Sequence, residues 1–395
     1  MNTNQYPLLL YSGKKVLQES GSQDINLNFL YLTKIDIPEL LLFLDKNKVY
    51  YNTNTNNNKK TLTKIKSKLG HKEYISLTNK KLLELVLLEK KKIYSLPNIH
   101  KLITLEIPKL DTTSLNKLCQ KNRVIKTLEE IDNIRKSCQL VSLAIKSMLQ
   151  NLSNLSNIDD IVRHIKNYLL KKKIDEVAYT PICSTYNNST TLHYNRLDSS
   201  LKNNPLILLD IGFKYHGYCS DITRTFPRTG IFSNNHKTIY QIVLQVNQDV
   251  IEKLKPGTNW SKIEQQAYLT IFTELEKIGL IKSNTLTKKE KISFVSTNLM
   301  YHSLGHFIGL YVHDVGNITI LQKNMVLTVE PGIYFRETLR TNYLIDELEL
   351  EKYIGIGGIR IEDTILITEK GNEILNTVRG KPLAKTIEEI EKIVK

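Results

Sequence analysis

The chain has 395 residues, a hydrophobic fraction of 41% and a formal net charge of +15. This is enough apolar material for two or three packed domains and argues against wholesale disorder. Residues 1–120 carry 19 basic against 10 acidic side chains, but these lysines are scattered and form no basic run typical of a nucleic-acid surface. Four widely spaced cysteines without a CxxC pair exclude a disulfide scaffold and a zinc ribbon.

No apolar leader follows the first residues, and no apolar run is long enough to cross a bilayer. We therefore expect a cytoplasmic protein with neither a membrane nor a nucleic acid as partner.

The first third of the chain consists of short apolar segments separated by polar breaks. The segments "FLYLTKID" and "ELLLFLDKNKVYYNT" are typical of strands, and the Asn-rich stretch "NTNTNNNKK" predicts a loop tip. No constellation of catalytic side chains occurs here. We expect a smaller, non-catalytic, mixed α/β domain over residues 1–120.

A different pattern begins after residue 120. Thr127 and Glu130 form a capping-box signature ahead of a helical apolar stripe, and a second helix is predicted after Asn157. Further helices are predicted at about 236–254 and 260–279, and strands over 205–227 and 318–368. Residues 121–395 therefore indicate one α+β domain.

The segment "LILLDIGFKYHGYCSDITRTFP" predicts two antiparallel strands around the break "KYHG". If the hairpin turns at Tyr215–His216, Asp210 and Asp221 lie directly opposite each other, with Cβ atoms about 5 Å apart. Two like charges placed in this way are destabilising without a cation, and Asp is a poor strand former. A slipped register that leaves one Asp in solvent is the alternative that the hairpin alone leaves open.

Two later strands each place one glutamate among apolar neighbours. Alternation puts Glu330 on the face of Val326 and Thr328, and Glu362 on the face of Arg360. A single buried Glu is ordinarily part of a structural ion pair, here with Arg360. Four strand carboxylates beside a histidine cluster instead suit two divalent cations, with Mn²⁺ the best match and Zn²⁺ or Co²⁺ as alternatives.

The histidines come from "HSLGHFIGLYVHD", residues 302–314. Their spacing fits a metal site, a proton-transfer site or three unrelated histidines. A zinc-binding HExxH helix needs Glu where Ser303 stands, and Gly305 and Gly309 argue against a stable helix. Four carboxylates would need only one of these imidazoles to complete a two-metal site.

Four segments, in this order and spacing, resemble the pita-bread metallopeptidases, specifically the aminopeptidase P and prolidase branch. They are "LLDIGFKYHGYCSDITRTFP", "HSLGHFIGLYVHD", "VLTVEPGIY" and "GGIRIEDTILIT". The resemblance covers residues 124–370 and implies a pita-bread catalytic domain over 121–395, a curved and mostly antiparallel sheet covered by helices. Ser303 and Tyr311 depart from the residues common in the family without removing a ligand.

The resemblance also implies roles for individual residues. The metal ligands are Asp210, Asp221, His306, Glu330 and Glu362, with Asp221 and Glu362 bridging two metal ions. The residues that line the substrate pocket are His193, His302 and His313, with Arg360 as a supporting or substrate-side cation. A homodimer is also expected from the resemblance.

The implied activity is that of an Xaa-Pro aminopeptidase, whose partner is a peptide with proline in second position. In such a site a hydroxide bridging the metals attacks the peptide carbonyl, and Glu330 takes and returns the proton. His302 or His313 would stabilise the oxyanion or the leaving nitrogen, and His193 would hold the substrate backbone. Prolidase, which cleaves Xaa-Pro dipeptides, is the runner-up. Methionine aminopeptidase and a non-catalytic binding member of the fold are further alternatives.

Overall fold

The computed structural model describes residues 8–12, 27–33, 35, 40–45, 48–53, 58–69, 73–88, 93–96, 99, 110–282 and 285–394. Contacts divide the chain into two compact units, Met1–Arg123 and Val124–Lys395. None of the helices within the described ranges is long and apolar enough to cross a membrane.

In its described residues the N-terminal unit has one mixed sheet and four helices. Its strands are β1 (Leu8–Tyr11), β2 (Leu40–Asp45), β3 (Lys48–Thr53), β4 (Glu73–Ser76), β5 (Ile93–Ser95) and β6 (Leu110–Asp111). Its helices are α1 (Leu27–Thr33), α2 (Asn58–Leu69), α3 (Asn79–Leu88) and α4 (Thr113–Val124). The strand order is β4-β3-β2-β1-β5-β6. Leu8 and Leu10 of β1 pack into one apolar cluster, and Leu9 and Tyr11 into another, so the sheet is buried on both faces.

Helix α1 corrects the strand prediction for "FLYLTKID". The Thr33 hydroxyl donates to the backbone oxygen of Phe29 at 2.8 Å, one helical turn back, and Phe29 is buried. A short apolar run fits a strand or a helix equally well, because periodicity cannot separate the two over so few residues. Part of the predicted loop tip, residues 54–57, lies outside the described residues, and the chain is helical from Asn58.

The C-terminal unit combines longer helices with short strands. Its helices are α5 (Leu128–Gln150), α6 (Ile158–Leu170), α7 (Asn234–Lys253), α8 (Trp260–Lys277), α9 (Lys288–Asn298), α10 (Glu347–Leu350) and α11 (Ile387–Val394). Its strands are β7 (Ile182–Thr185), β8 (Leu206–Asp210), β9 (Lys214–Tyr215), β10 (Tyr218–Cys219), β11 (Thr223–Pro227), β12 (Val326–Val329), β13 (Gly332–Tyr334), β14 (Gly358–Arg360), β15 (Asp363–Ile367), β16 (Asn372–Ile374), β17 (Thr377–Val378) and β18 (Lys381–Pro382).

The named strands of this unit pair only in antiparallel fashion within its described residues. Three-stranded sheets run in the orders β11-β8-β7 and β12-β15-β16, and β13 pairs with β14. One apolar core joins Val141 of α5 and Val243 of α7 to Leu209 of β8 and Leu327 of β12. Helices α5 and α7 thus pack against β8, which ends at Asp210, and β12, which precedes Glu330. The expected α+β class is confirmed.

Local capping signals explain where most of the helices begin. Thr127 caps α5 in a reciprocal capping box with Glu130, and Asn157 caps α6, as predicted. The observed bounds of α7 and α8 differ from those predicted by two residues or fewer. Helix α9 was not predicted, although Thr287 begins it with the same kind of capping box, because "KKEKISFVSTN" has no regular apolar stripe.

Candidate active site

Asp210 and Asp221 lie on the two arms of one hairpin. Asp210 ends β8, and Asp221 lies two residues before β11. The register pairs Asp210 with Thr223, so Asp221 is a diagonal neighbour of Asp210. The prediction that the two aspartates lie directly opposite each other is therefore wrong by two residues. A shift of two keeps both carboxylates on the same face of the hairpin.

The turn chemistry explains this register. Tyr215 pairs with Tyr218, so the loop consists of His216 and Gly217 rather than Tyr215 and His216. His216 has a φ of 48° and Gly217 a φ of 84°. A two-residue hairpin loop of type I′ requires positive φ at both positions, and Gly favours the second.

Tyr179 joins the two aspartates. Its hydroxyl lies within hydrogen-bonding reach of Asp210 Oδ1 and, at 2.5 Å, of Asp221 Oδ1. A Cβ on Gly212 would lie 2.7 Å from Tyr179 Cε1 and 2.0 Å from the backbone oxygen of Ser220, so this approach requires glycine. Sequence reasoning missed Tyr179, because no motif marks a tyrosine so far before the hairpin.

The two glutamates are held by neighbouring threonines. Glu330 follows β12 and accepts a hydrogen bond from the Thr328 hydroxyl at 3.0 Å. Glu362 lies between β14 and β15 and accepts one from the Thr223 hydroxyl at 2.7 Å. Thr223 also pairs with Asp210 across the sheet, so it places Glu362 close to the hairpin carboxylates.

His306 lies on an extended segment beside β12, outside any helix, as the glycines of the motif predict. Its backbone N–H donates to the Thr328 hydroxyl at 3.0 Å, and its backbone oxygen accepts from the Thr328 N–H at 2.9 Å. A Cβ on Gly305 would lie 2.0 Å from the Thr328 backbone oxygen. Glycine at 305 therefore permits the close approach that brings His306 to the carboxylates.

The orientation of the His306 ring leaves one nitrogen facing the carboxylates. Nδ1 lies 3.0 Å from the backbone oxygen of Phe307; since a carbonyl only accepts, Nδ1 carries the proton. Nε2 lies 3.5 Å from Asp221 Oδ2 and 3.4 Å from Glu330 Oε1. One ligand atom each from Asp221, His306 and Glu362 lie within 4.8 Å of one another.

The cluster is short of positive charge. Burial and the neighbouring carboxylates raise the pKa of Glu362 well above its usual range, and burial raises the pKa of Glu330 to about 7. Burial also raises the pKa of Asp210, although Arg360 opposes the shift. The pKa of His306 rises to about 9 despite its burial, because Asp221 and Glu330 favour the imidazolium.

Arg360 is a buried cation beside the cluster, with 4% of its surface exposed. Its guanidinium donates to Asp210 Oδ2 at 2.7 Å, to the Tyr334 hydroxyl at 2.7 Å and to the Thr223 hydroxyl at 3.2 Å. With four ionised carboxylates, Arg360 and a protonated His306, these side chains carry a formal charge of −2. Buried charges of this kind are paired or coordinate metals, so the residues present fit divalent cations.

His302 lies deeper than the other two pocket histidines. Its Nδ1 is 2.9 Å from the backbone oxygen of Ser303, and its Nε2 is 2.8 Å from the Tyr334 hydroxyl. Burial, with a further effect of Arg360, lowers the pKa of His302 to about 3, so its ring is neutral. The contacts to Ser303 and Tyr334 occupy both ring nitrogens of His302.

His313 and His193 are exposed. The His313 ring lies 4.4 Å from the His306 ring, almost perpendicular to it, and 6.5 Å from the His193 ring. Both imidazoles can therefore reach a ligand that arrives from solvent.

Sequence reasoning missed Tyr334, whose hydroxyl contacts both Arg360 and His302. The available signal was its position four residues after Glu330, which places both side chains on the same face of an extended strand.

Comparisons with known proteins place this geometry in a family. The sequence model of "Metallopeptidase family M24" matches residues 132–369. A "Probable Xaa-Pro aminopeptidase" of Botryotinia fuckeliana is 34% identical over 325 residues, covering 71% of this chain and 58% of the relative. A second protein of that name and organism is 32% identical over 343 residues, covering 79% and 72%. The chain spans a little over half the length of the first curated relatives it matches.

Solved structures give the same result. The zinc-substituted Escherichia coli aminopeptidase P in complex with product has a TM-score of 0.82 and 25% identity, covering 99% of this chain and 95% of that one. An alanine variant of the same enzyme has a TM-score of 0.83, again at 25% identity, with 98% and 94% covered. These matches confirm the expected pita-bread fold and the resemblance to the aminopeptidase P branch. The chain belongs to metallopeptidase family M24.

Proposed function

We propose that this protein is a metallopeptidase that releases the N-terminal residue from peptides with proline in second position. The observation that carries the proposal is a cluster of three buried carboxylates, Asp210, Asp221 and Glu362, with the half-buried Glu330 and His306, in a chain of family M24. The curated relatives named as Xaa-Pro aminopeptidases and the likeness to aminopeptidase P over nearly the whole chain support this substrate class.

The five ligands of the proposal are Asp210, Asp221, His306, Glu330 and Glu362, and they would hold two divalent cations. Asp221 and Glu362 suit the bridging positions, because both belong to the group whose ligand atoms lie within 4.8 Å of one another. An oxygen-rich donor set with one imidazole favours Mn²⁺, with Zn²⁺ and Co²⁺ as alternatives. When bound, the cations would polarise the substrate carbonyl and lower the pKa of water.

The chain's own groups supply proton transfer and orientation. Glu330, whose Oε1 lies 3.4 Å from His306 Nε2, would accept a proton at its carboxylate and return it to the leaving nitrogen. Neutral His302 fixes the Tyr334 hydroxyl, which also accepts from Arg360. His302 would therefore act on the substrate only if Tyr334 or Ser303 releases a ring nitrogen.

The exposed histidines would hold the peptide. His313 is next to His306, and His193 is next to His313, so their N–H groups would donate to the carbonyl oxygen or to the substrate backbone. Proline has no backbone N–H for a protease to recognise. A site that recognises acceptor oxygens and the shape of the ring therefore suits an Xaa-Pro bond.

The proposal extends to organisation and location. All proposed site residues lie within Val124–Lys395, which supports catalysis by residues 121–395 and a non-catalytic role for 1–120. All four cysteines are free and buried, which suits the reducing cytoplasm. A homodimer is proposed from the family resemblance alone, and sedimentation velocity tests it.

Peptide hydrolysis tests the activity. The metal-free full chain, supplied with Mn²⁺, is incubated with Ala-Pro-Ala, with the dipeptide Ala-Pro and with Ala-Ala-Ala as control. We expect release of alanine from Ala-Pro-Ala only, and no release in EDTA. Preferred cleavage of Ala-Pro would identify a prolidase, and no cleavage of either proline peptide by a Mn²⁺-loaded protein would refute the proposal.

A further inference from the structure

A buried ammonium lies behind the carboxylate cluster. Lys385, 8% exposed, donates to Asp363 Oδ2 at 2.5 Å and to Asn247 Oδ1 at 2.7 Å. It follows the segment that matches the family model, which ends at residue 369, and it does not belong to the ligand set. A buried lysine in this position requires a reason, because removing an ammonium and its carboxylate partner from water costs free energy that their attraction often does not recover.

Asn247 links this ammonium to both glutamates. The side chain is fully buried, and its Nδ2 donates to the backbone oxygens of Val329 at 3.2 Å and Ile361 at 3.3 Å. These two residues directly precede Glu330 and Glu362. Since an ammonium only donates, Lys385 fixes Asn247 Oδ1 on its own side and directs Nδ2 towards the two carbonyls.

Asp363 links the ammonium to Glu362 by a second route. Asp363 follows Glu362 in the chain, and its Oδ1 accepts from Arg224 Nη2 at 2.7 Å. Arg224 Nη1 donates to the backbone oxygen of Glu362 at 2.6 Å. The peptide units on both sides of Glu362 are therefore held by a buried hydrogen-bond network that ends at the Lys385 ammonium.

The segment that carries Lys385 is itself fixed. Arg224 donates to the backbone oxygens of Ala384 at 2.9 Å and Leu383 at 3.1 Å. The Tyr240 hydroxyl donates to the backbone oxygen of Lys385 at 2.8 Å. The backbone of Lys385 and of the two residues before it is thus fixed by hydrogen bonds, and this fixes the position of the ammonium.

We propose that Lys385 is a positioning residue of the metal centre, which sets the backbone of Glu330 and Glu362 through Asn247 and Asp363. The inference rests on the proposed two-metal function. A purely structural role is the competing explanation, and it makes a different prediction: a buried ion pair that only stabilises the fold would change the unfolding temperature without changing metal affinity.

The test compares K385M with K381M in the full chain. Met keeps the unbranched shape of the lysine stem but removes the ammonium, and Lys381 is an exposed residue of β18 that serves as the matched control. Mn²⁺ binding to the metal-free proteins is measured by isothermal titration calorimetry, with circular dichroism and thermal unfolding in EDTA as measures of folding.

We expect K385M to bind Mn²⁺ about 10–100-fold more weakly than wild type, as when an outer partner of a metal ligand is lost. Its kcat for Ala-Pro-Ala should fall more than its KM changes, K385R should recover part of the affinity, and K381M should match wild type. A K385M protein with a lower unfolding temperature but wild-type Mn²⁺ affinity and kcat would overturn the inference.

A second variant keeps the test decisive if K385M does not fold. N247D retains an acceptor for Lys385 but replaces the Nδ2 donor with an oxygen that faces the carbonyls of Val329 and Ile361. A folded N247D with wild-type Mn²⁺ affinity also overturns the inference, and weakened binding supports it. A wild-type protein that binds Mn²⁺ without hydrolysing proline peptides refutes the proposed activity alone, whereas one that binds no divalent cation refutes both.

Discussion

Replacing Asp221 with Asn separates metal binding from folding stability. The substitution keeps the side-chain shape and removes one charge. At an effective dielectric constant of about 20, attraction to the His306 imidazolium at 3.5 Å is worth about 5 kcal/mol. Burial and the neighbouring carboxylates raise the pKa of Glu362 well above its usual range, so in the metal-free protein its carboxyl holds a proton and does not offset this attraction. We therefore expect D221N to unfold at a lower temperature than wild type in EDTA, and its response to Mn²⁺ is measured from that temperature.

The response to Mn²⁺ should differ sharply between the two proteins. At free Mn²⁺ of about 100 times its Kd, binding stabilises wild type by about 2.7 kcal/mol. For a domain of roughly 250 residues this raises the unfolding temperature by about 5–11 °C. Loss of a direct ligand should weaken binding by at least ~100-fold, since outer partners alone cost about 10–100-fold. At the same Mn²⁺ concentration, binding then stabilises D221N by only about 0.4 kcal/mol, which raises its unfolding temperature by about 1–2 °C.

Differential scanning fluorimetry in EDTA and in Mn²⁺ measures both quantities. The matched control is D175N, because Asp175 is exposed and lies outside the cluster. Wild type and D175N should show the same Mn²⁺-induced shift. A shift in D221N as large as that of wild type would refute the assignment of Asp221 as a ligand.

Three further predictions concern the pocket and its charge. H302A should lower kcat about 2–12-fold, the equivalent of ~0.5–1.5 kcal/mol for one lost hydrogen bond, because the Tyr334 hydroxyl beside Arg360 loses its acceptor. Metal content by mass spectrometry should not change, since His302 is not one of the five proposed ligands; a lost metal ion would contradict this. Y311A should raise KM for Ala-Pro-Ala about 2–12-fold, the equivalent of ~0.5–1.5 kcal/mol of ring contact, because the exposed Tyr311 ring lies 6.4 Å from His313; an unchanged KM would place Tyr311 outside the pocket. In EDTA the unfolding temperature should fall as the pH rises from about 6.5 to 9. The folded chain raises the pKa of His306 to about 9, so it binds that proton more tightly than the unfolded chain, and this stabilisation is lost as the proton leaves. An unfolding temperature that does not change over this pH range would contradict the prediction.

Local signals predicted much of the fold. Thr127 with Glu130 and Asn157 marked two helix starts, because a capping side chain satisfies backbone N–H groups within three residues of itself. Helix α1 was read as a strand, because seven residues are too few for a period to show. Helix α9 was missed because its surface pattern is irregular, even though Thr287 supplied a capping signal.

The site was only partly accessible to the same reasoning. Alternation predicted Glu330 and Glu362 within strands, but Glu330 follows β12 and Glu362 lies between β14 and β15. The hairpin register was wrong because the positive φ at His216 and Gly217 was not recognised. Tyr179 and the Lys385 network could not be predicted, since Lys385 and Asn247 are 138 residues apart. Contacts over that distance depend on how the whole unit packs, which no local pattern specifies.

Anomalous diffraction at the manganese edge, from crystals of the full chain grown with Mn²⁺, tests the central claim most directly. We predict two anomalous peaks, each within bonding distance of both Asp221 and Glu362, with His306 on one of them. A single peak, or peaks away from these carboxylates, would contradict the two-metal site on which the proposed function depends.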